Sequence, residues 1–200
     1  MCIRDRSRRS QDKSTLQSAT DIFNETLAID PGEAQTYSIL ANCYYELGDK
    51  TNAVEYAKKA HELMPNEFRS NYTLGQILAL TGDKKNAITY IEKAVEISPT
   101  EQGAVKQLAG LYYETGLKEK SIETFELAIK QESDKSAKAN LYFNLGVLHM
   151  QSDNFQDAED NFMTAYDLNP EDTEALMGIA QTFENAEKWR RATKFYRELI

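Results

Sequence analysis

The chain has 200 residues, 41% of them hydrophobic and 28% charged, and a formal net charge of −9. These proportions suit a globular chain with a sizeable core and exclude disordered, collagen-like and other low-complexity classes. No apolar run approaches the ~18 residues that a membrane-spanning helix requires, so no membrane partner is expected for this segment.

The opening stretch stands apart. MCIRDRSRRS carries Arg4, Arg6, Arg8 and Arg9 against a single acid, Asp5. The remainder holds 19 basic and 31 acidic side chains, a net of −12, which repels a phosphate backbone and argues against nucleic acid as a partner. No apolar segment follows the arginines, so the stretch is not a signal peptide. MCIRD is what ATG TGT ATA AGA GAC encodes, a string that resembles the transposon-end adapter of shotgun sequencing libraries. Residues 1–5 are therefore read as a scar and 1–11 as a non-native or disordered leader. Met1 then says nothing about localisation, for which the cytoplasm is the default, and the true N-terminus is expected to be missing.

From Asp12 onward the pattern is helical. The first predicted helix spans 13–30 and stops before Pro31, because a residue that precedes proline disfavours the helical region. Helix pairs follow at 34–47 with 51–64, 68–81 with 85–98, 102–115 with 119–132, 137–152 with 155–169, and 173–186 with 189–200. Pro31, Pro65 and Pro99 lie 34 residues apart, as do Gly48, Gly82 and Gly116, so the pairs repeat one unit. Gly48 and Gly82 suit the left-handed residue that ends a helix, and Asp49 and Asp83 suit the cap of the next. Small residues at Ala41, Gly75, Ala109, Gly146 and Ala180 mark places where two helices approach closely. Where a fourth proline is due stands Ser133, with three extra residues before the phase resumes at Ala139. That departure predicts an extra helical turn capped by Ser133; a local change of superhelical curvature is the alternative.

These residues resemble the tetratricopeptide repeat, whose pattern runs W-x2-L-G-x2-Y, then A-x3-F, then P. Its first half reads Tyr37, Leu40, Ala41, Tyr44; then Asn71, Leu74, Gly75, Leu78; then Val105, Leu108, Ala109, Tyr112; then Tyr142, Leu145, Gly146, His149; and Leu176, Ile179, Ala180, Phe183. Its second half reads Ala87 and Ile91, Ser121 and Phe125, Ala158 and Phe162, Ala192 and Tyr196, with Ala19 and Phe23 fitting before the first full unit. The resemblance implies an all-α, right-handed α-solenoid of antiparallel helix hairpins. Its expected parts are a second helix of a truncated repeat at 12–33, repeats at 34–67 and 68–101, a repeat with a three-residue insertion at 102–138, a repeat at 139–172 and a truncated one at 173–200. No polar capping helix follows to cover Phe195, Leu199 and Ile200, so the chain reads as a fragment of a larger repeat protein.

Little in the sequence suggests catalysis. His61 and His149 sit at helical packing positions, Cys43 serves as a small apolar filler beside Tyr44, and no phosphate-binding glycine loop is present. Cys2 and Cys43 share no metal or redox spacing, and no cofactor, metal or catalytic residue is expected. The resemblance implies instead a concave face of first helices that binds an extended peptide of a protein partner. The residues carried onto that face are Asn42, Tyr45, Arg69, Tyr72, Gln76, Lys106, Gln107, Tyr113, Asn140, Phe143, Asn144 and Gln181, with Gln35, Ser38, Ile39, Thr73, Ala79, Gly110, Val147, Met150, Glu174, Met177 and Glu184 beside them. Asn42, Gln76, Gln107, Asn144 and Gln181 would form an amide ladder, donor and acceptor together, against a peptide backbone. The clamp by which some relatives hold the carboxylate tail of chaperones is incomplete. One frame reads Ser38, Asn42, Thr73, Gly103, Gln107, and the other keeps only Lys106 and Asn144, with Gly110, Glu174 and Gly178 in the remaining places. Chaperone-tail binding is not expected. A docking segment of a larger glycosyltransferase or kinase, and a cell-envelope assembly factor, are the alternatives to a scaffold.

Overall fold

The computed structural model describes residues 3–171 and 173–198. Among them are eleven helices and no strand: α1 (Ile3–Ile29), α2 (Ala34–Leu47), α3 (Lys50–Leu63), α4 (Phe68–Thr81), α5 (Lys84–Ile97), α6 (Gln102–Glu114), α7 (Lys118–Gln131), α8 (Lys135–Gln151), α9 (Phe155–Leu168), α10 (Thr173–Asn185) and α11 (Trp189–Glu198). The fold is the all-α solenoid of helix hairpins, and the helices fall within two residues of the expected spans except at the start of α1. That helix runs back to Ile3, through the stretch read from the sequence as a non-native or disordered leader. Cys2, Asp172, Leu199 and Ile200 lie outside the described residues.

Contacts divide the chain into two compact units, Met1–Ser98 with α1–α5 and Pro99–Ile200 with α6–α11. In the first unit, α2 packs on α1, α3 and α4, and α4 on α3 and α5. The seam is filled by Leu40, Leu74, Ile77 and Ile91 beside Ala41, Ala53, Ala57 and Ala87, all buried. The alanines let the helix backbones approach, and the larger side chains fill the space alongside. Gly48 and Gly82 take φ of 91° and 102°, and the amides that follow, of Asp49 and Asp83, donate to Tyr44 O and Leu78 O at 2.8 Å each. Asp49 and Asp83 then cap α3 and α5 by accepting from Asn52 N (3.1 Å) and Asn86 N (3.3 Å), as their positions predict.

In the second unit, α8 packs on α6, α7, α9 and α10, and α10 on α9 and α11. Phe162 of α9 is wholly buried and is wedged between two glycines of neighbouring helices. A Cβ added at Gly146 would stand 2.8 Å from its ring, and one at Gly178 would stand 2.7 Å from it. The insertion does add helix, since α8 has 17 residues where α9 has 14. Its cap corrects the expectation, however: Asp134, not Ser133, accepts from Ala137 N at 2.8 Å. The Ser133 and Asp134 amides donate to the Glu132 carboxylate at 2.8 and 3.0 Å, and both residues lie before the first residue of α8. Gln102 Nε2 donates to Ala137 O at 3.1 Å and ties the added turn to α6.

Candidate functional site

The first helices of each unit lie side by side: α2 with α4 in the first unit, and α6 with α8 with α10 in the second. On α2 and α4, Asn42 and Arg69 are exposed, while Tyr45, Tyr72 and Gln76 are half-buried. Tyr72 stacks on Phe68 with ring centroids 5.4 Å apart and planes 16° from parallel, an arrangement that fixes its ring against α4. Ser38 and Thr73, expected beside these residues, are buried and present nothing to a ligand. Both sit within three residues of the small residues of the seam, Ala41 and Gly75, and the close helix approach there covers them.

In the second unit the predicted residues gather around two adjoining recesses that share Val147. The larger, about 380 Å³, is lined by Phe143, Val147 and Met150 of α8, Phe162 of α9, and Thr173, Glu174, Met177, Gly178 and Gln181 of α10. The Phe143 and Phe162 rings pack at 5.5 Å with planes tilted by 54°. Gly178 is what brings α10 this close to Phe162. The smaller recess, about 160 Å³, lies between α6 and α8 and includes Lys106, Gly110, Tyr113, Phe125, Asn144 and Gln151. Tyr113 spans it: its hydroxyl donates to Gln151 O at 3.0 Å, and Lys118 Nζ lies 5.5 Å from its ring centroid. Lys106, Tyr113, Phe143, Asn144 and Gln181 are thus brought together, whereas Gln107, half-buried, and Asn140, exposed, line neither recess.

The amide ladder is less regular than the residue types suggest. Asn42, Gln76 and Gln181 each fall five residues past the first motif residue of their helix, but in α6 and α8 that position holds Gly110 and Val147. Gln107 and Asn144 stand three residues earlier, one turn away. Two of the amides also spend a donor on their own helix: Asn42 Nδ2 donates to Ser38 O at 3.2 Å and Asn144 Nδ2 to Asn140 O at 2.5 Å. Each keeps a second N–H and its carbonyl oxygen for a ligand. The face of α6, α8 and α10 is therefore apolar at its centre and polar at its edges.

The remaining titratable groups are structural. Cys43 is a buried free thiol whose pKa is raised by burial, as befits a filler. The Tyr56 hydroxyl donates to Asn24 Oδ1 (3.1 Å), Asn24 Nδ2 donates to the Tyr44 hydroxyl (3.2 Å), and burial pushes Tyr56 up to about 12. His61 meets Tyr90 edge-on at 5.0 Å with its Nδ1 unpaired, and burial first, then Lys93, lowers its pKa. His149 is 8% exposed, and its unpaired Nδ1 lies 3.8 Å from Asp157 Oδ2, beyond hydrogen-bond reach. Among the described residues, no group of three or more His, Cys, Asp or Glu is placed to hold a metal ion, and no helix is long and apolar enough to cross a membrane.

What sequence reasoning missed is what lies beneath the face. Phe162 belongs to a second helix and enters the sequence reading only as a motif residue, and Gly178 only as a mismatch to the chaperone-tail clamp. The available signal is a glycine in the middle of α10 outside the repeat pattern, but Gly110 of α6 carries the same signal with no close approach, so the signal does not single out Gly178.

Two profiles of the tetratricopeptide repeat match the sequence, one at residues 68–101 and 107–135 and the other at 34–67 and 139–172. No curated protein matches it. Among solved structures, the C-terminal part of a TPR repeat-containing protein from Cytophaga hutchinsonii is similar at 20% identity, with a TM-score of 0.76, over 95% of this chain and 74% of that one. MamA is similar at 23% identity and a TM-score of 0.66, over 86% of this chain and 96% of its own. YrrB, described as a TPR protein with an unusual peptide-binding site, is similar at 23% identity and a TM-score of 0.61, over 83% and 84% of the two chains.

Proposed function

The chain belongs to the tetratricopeptide repeat family and is a protein-interaction scaffold, and on that premise we propose that it binds an extended peptide segment of a partner on the face of its first helices. The observation that carries this reading is the pair of adjoining recesses on α6, α8 and α10, where five of the residues expected to line a groove converge around Val147. An extended strand presents side chains alternately, so it can seat one in a recess while its backbone passes the amides of Asn144 and Gln181. Tyr113 and Phe143 supply large, rigid contact area at low entropic cost. The unusual peptide-binding site described for YrrB lends the same fold a precedent.

Random dodecapeptides displayed on phage and selected on the immobilised chain test the reading. Selected peptides, synthesised with a fluorophore, are expected to bind with affinities that fall at least tenfold on the variant Tyr113→Ala/Phe143→Ala/Asn144→Ala, since truncating central contacts costs more than 1 kcal/mol each. Equal binding by the two proteins, with the variant's helicity unchanged by circular dichroism, refutes it.

A further inference from the structure

The larger recess differs in character from the rest of the face, and its chemistry says what it would accept. Five of its nine lining residues are large and apolar: Phe143, Val147, Met150, Phe162 and Met177. Met177 is 41% exposed although it stands at the mouth of an apolar recess. Phe143 is half-buried and packs on the wholly buried Phe162, so the open part of its own ring can meet a further aromatic group, and the two thioethers can adapt to the outline of that group. At about 380 Å³ the space lies at the lower end of the ~300–1,000 Å³ typical of small-ligand sites, which is room for one large side chain.

Charge at the rim is one-sided. Among the described residues, Glu174 is the sole charged one that lines the larger recess, and α10, TEALMGIAQTFEN, carries Glu174 and Glu184 and no lysine or arginine. Across Val147, the smaller recess has Lys106 as its sole charged lining residue. A cation on the ligand is thus favoured on the α10 side and disfavoured on the α6 side.

We propose that the recess between α8 and α10 receives a large apolar or aromatic side chain of a partner peptide, and that Glu174 answers a lysine or arginine next to that anchor. This inference rests on the peptide-binding reading above and adds to it the class of sequence recognised: an aromatic or long aliphatic residue with a basic neighbour on the α10 side. The anchor supplies affinity through burial, and the basic neighbour supplies orientation, because reversing the peptide would set its cation against Lys106.

The experiment uses the whole chain labelled with ¹³C at its methionine methyl groups. Met150 and Met177 line the recess, while Met64, which follows α3, and Met163 of α9 do not. The probes are the selected dodecapeptides. They are expected to be enriched in Phe, Trp, Leu or Met beside Lys or Arg, and to shift the Met150 and Met177 signals while leaving Met64 and Met163 in place. Replacing the anchor by alanine should weaken binding about ten- to a hundredfold. Replacing the basic neighbour by glutamate should weaken it about three- to tenfold, and the variant Glu174→Lys, its fold verified by circular dichroism, should recover that loss. Peptides that shift Met150 and Met177 yet tolerate loss of the anchor, or show no charge reversal with Glu174→Lys, overturn this inference and leave peptide binding standing. Peptides that move neither methyl group overturn this inference alone, and recovery of no peptide at all overturns both.

Discussion

Three glycines inside helices of the second unit should respond to the same substitution with different signs. Gly110 is exposed in α6, and a Cβ built there meets nothing within 4 Å. Alanine at such a position gains about 0.8–1 kcal/mol of helix propensity, so Gly110→Ala should stabilise by about that amount. Gly178→Ala earns the same gain in α10 but sets a methyl carbon 2.7 Å from Phe162 Cε1, 2.8 Å from Cδ1 and 2.9 Å from Cζ. Gly146 of α8 crowds the same ring, since a Cβ there would stand 2.8 Å from Phe162 Cδ1 and 2.9 Å from Cε1, so a shift of the ring away from α10 is opposed by a second backbone. Overpacking of that kind costs typically 1–3 kcal/mol, so Gly178→Ala and Gly146→Ala should be destabilising by about 0–2 kcal/mol net. Urea unfolding followed by circular dichroism at 222 nm measures all three variants in one unit. A second variant separates clash from other causes: in the Phe162→Leu background, Gly178→Ala should cost less than in the parent, a coupling that a double-mutant cycle reads directly. If Gly178→Ala raises the midpoint as much as Gly110→Ala does, the ring does not lie where the wedge requires it.

The helix ends, the histidines and the thiol give further tests. Asp153 and Glu187 hold φ of 58° and 57° at the loop position where the preceding hairpin has Gly116 at 82°; since the left-handed region costs a non-glycine residue about 1–2 kcal/mol, Asp153→Gly and Glu187→Gly should each raise the urea midpoint, and Gly116→Ala should lower it. His61 has a pKa lowered by burial and by Lys93, so its contribution to stability is complete above the ordinary histidine range near 6.5 and is lost as pH falls toward its folded value; thermal scans should show the parent losing more stability than His61→Leu between pH 7 and pH 5, and parallel curves would refute this. Burial raises the Cys43 pKa, so the thiol should react with a disulfide reagent at pH 8 far more slowly than a free cysteine, and addition of urea should abolish the difference.

The repeat was legible because each unit must solve the same packing problem. A hairpin two helices deep needs a small residue where the helices cross, large ones on either side and a turn that ends the chain's helical run, and these demands return every 34 residues with the motif. The seams of Ala41 on α2 and Gly75 on α4, the left-handed turns at Gly48 and Gly82 and the caps at Asp49 and Asp83 follow from types and spacing alone. Ser133 was the exception, because serine and aspartate are both good caps, they stand side by side here, and residue type alone does not choose between them.

The face was less legible for a physical reason. Packing positions are constrained twice, by the helix they sit on and the helix they touch, so the period exposes them; positions that face solvent are constrained by neither. Placing residues on the face by their column offered Lys106, Tyr113, Phe143, Asn144 and Gln181, which line the recess walls, and also Ser38 and Thr73, which close approach buries. What turns a row of side chains into a recess is what the row stands on. Here that is Phe162, a residue of a second helix reaching between Gly146 and Gly178, and its depth depends on two glycines in different helices. Neither glycine alone announces a site, since one is a motif residue and the other an isolated break in the helical pattern; only their common approach to one ring does. A sequence search for such faces should therefore look across units for a large second-helix residue opposed by glycine in both adjacent first helices, because that combination draws α8 and α10 together below while leaving Val147, Met150 and Met177 apart above.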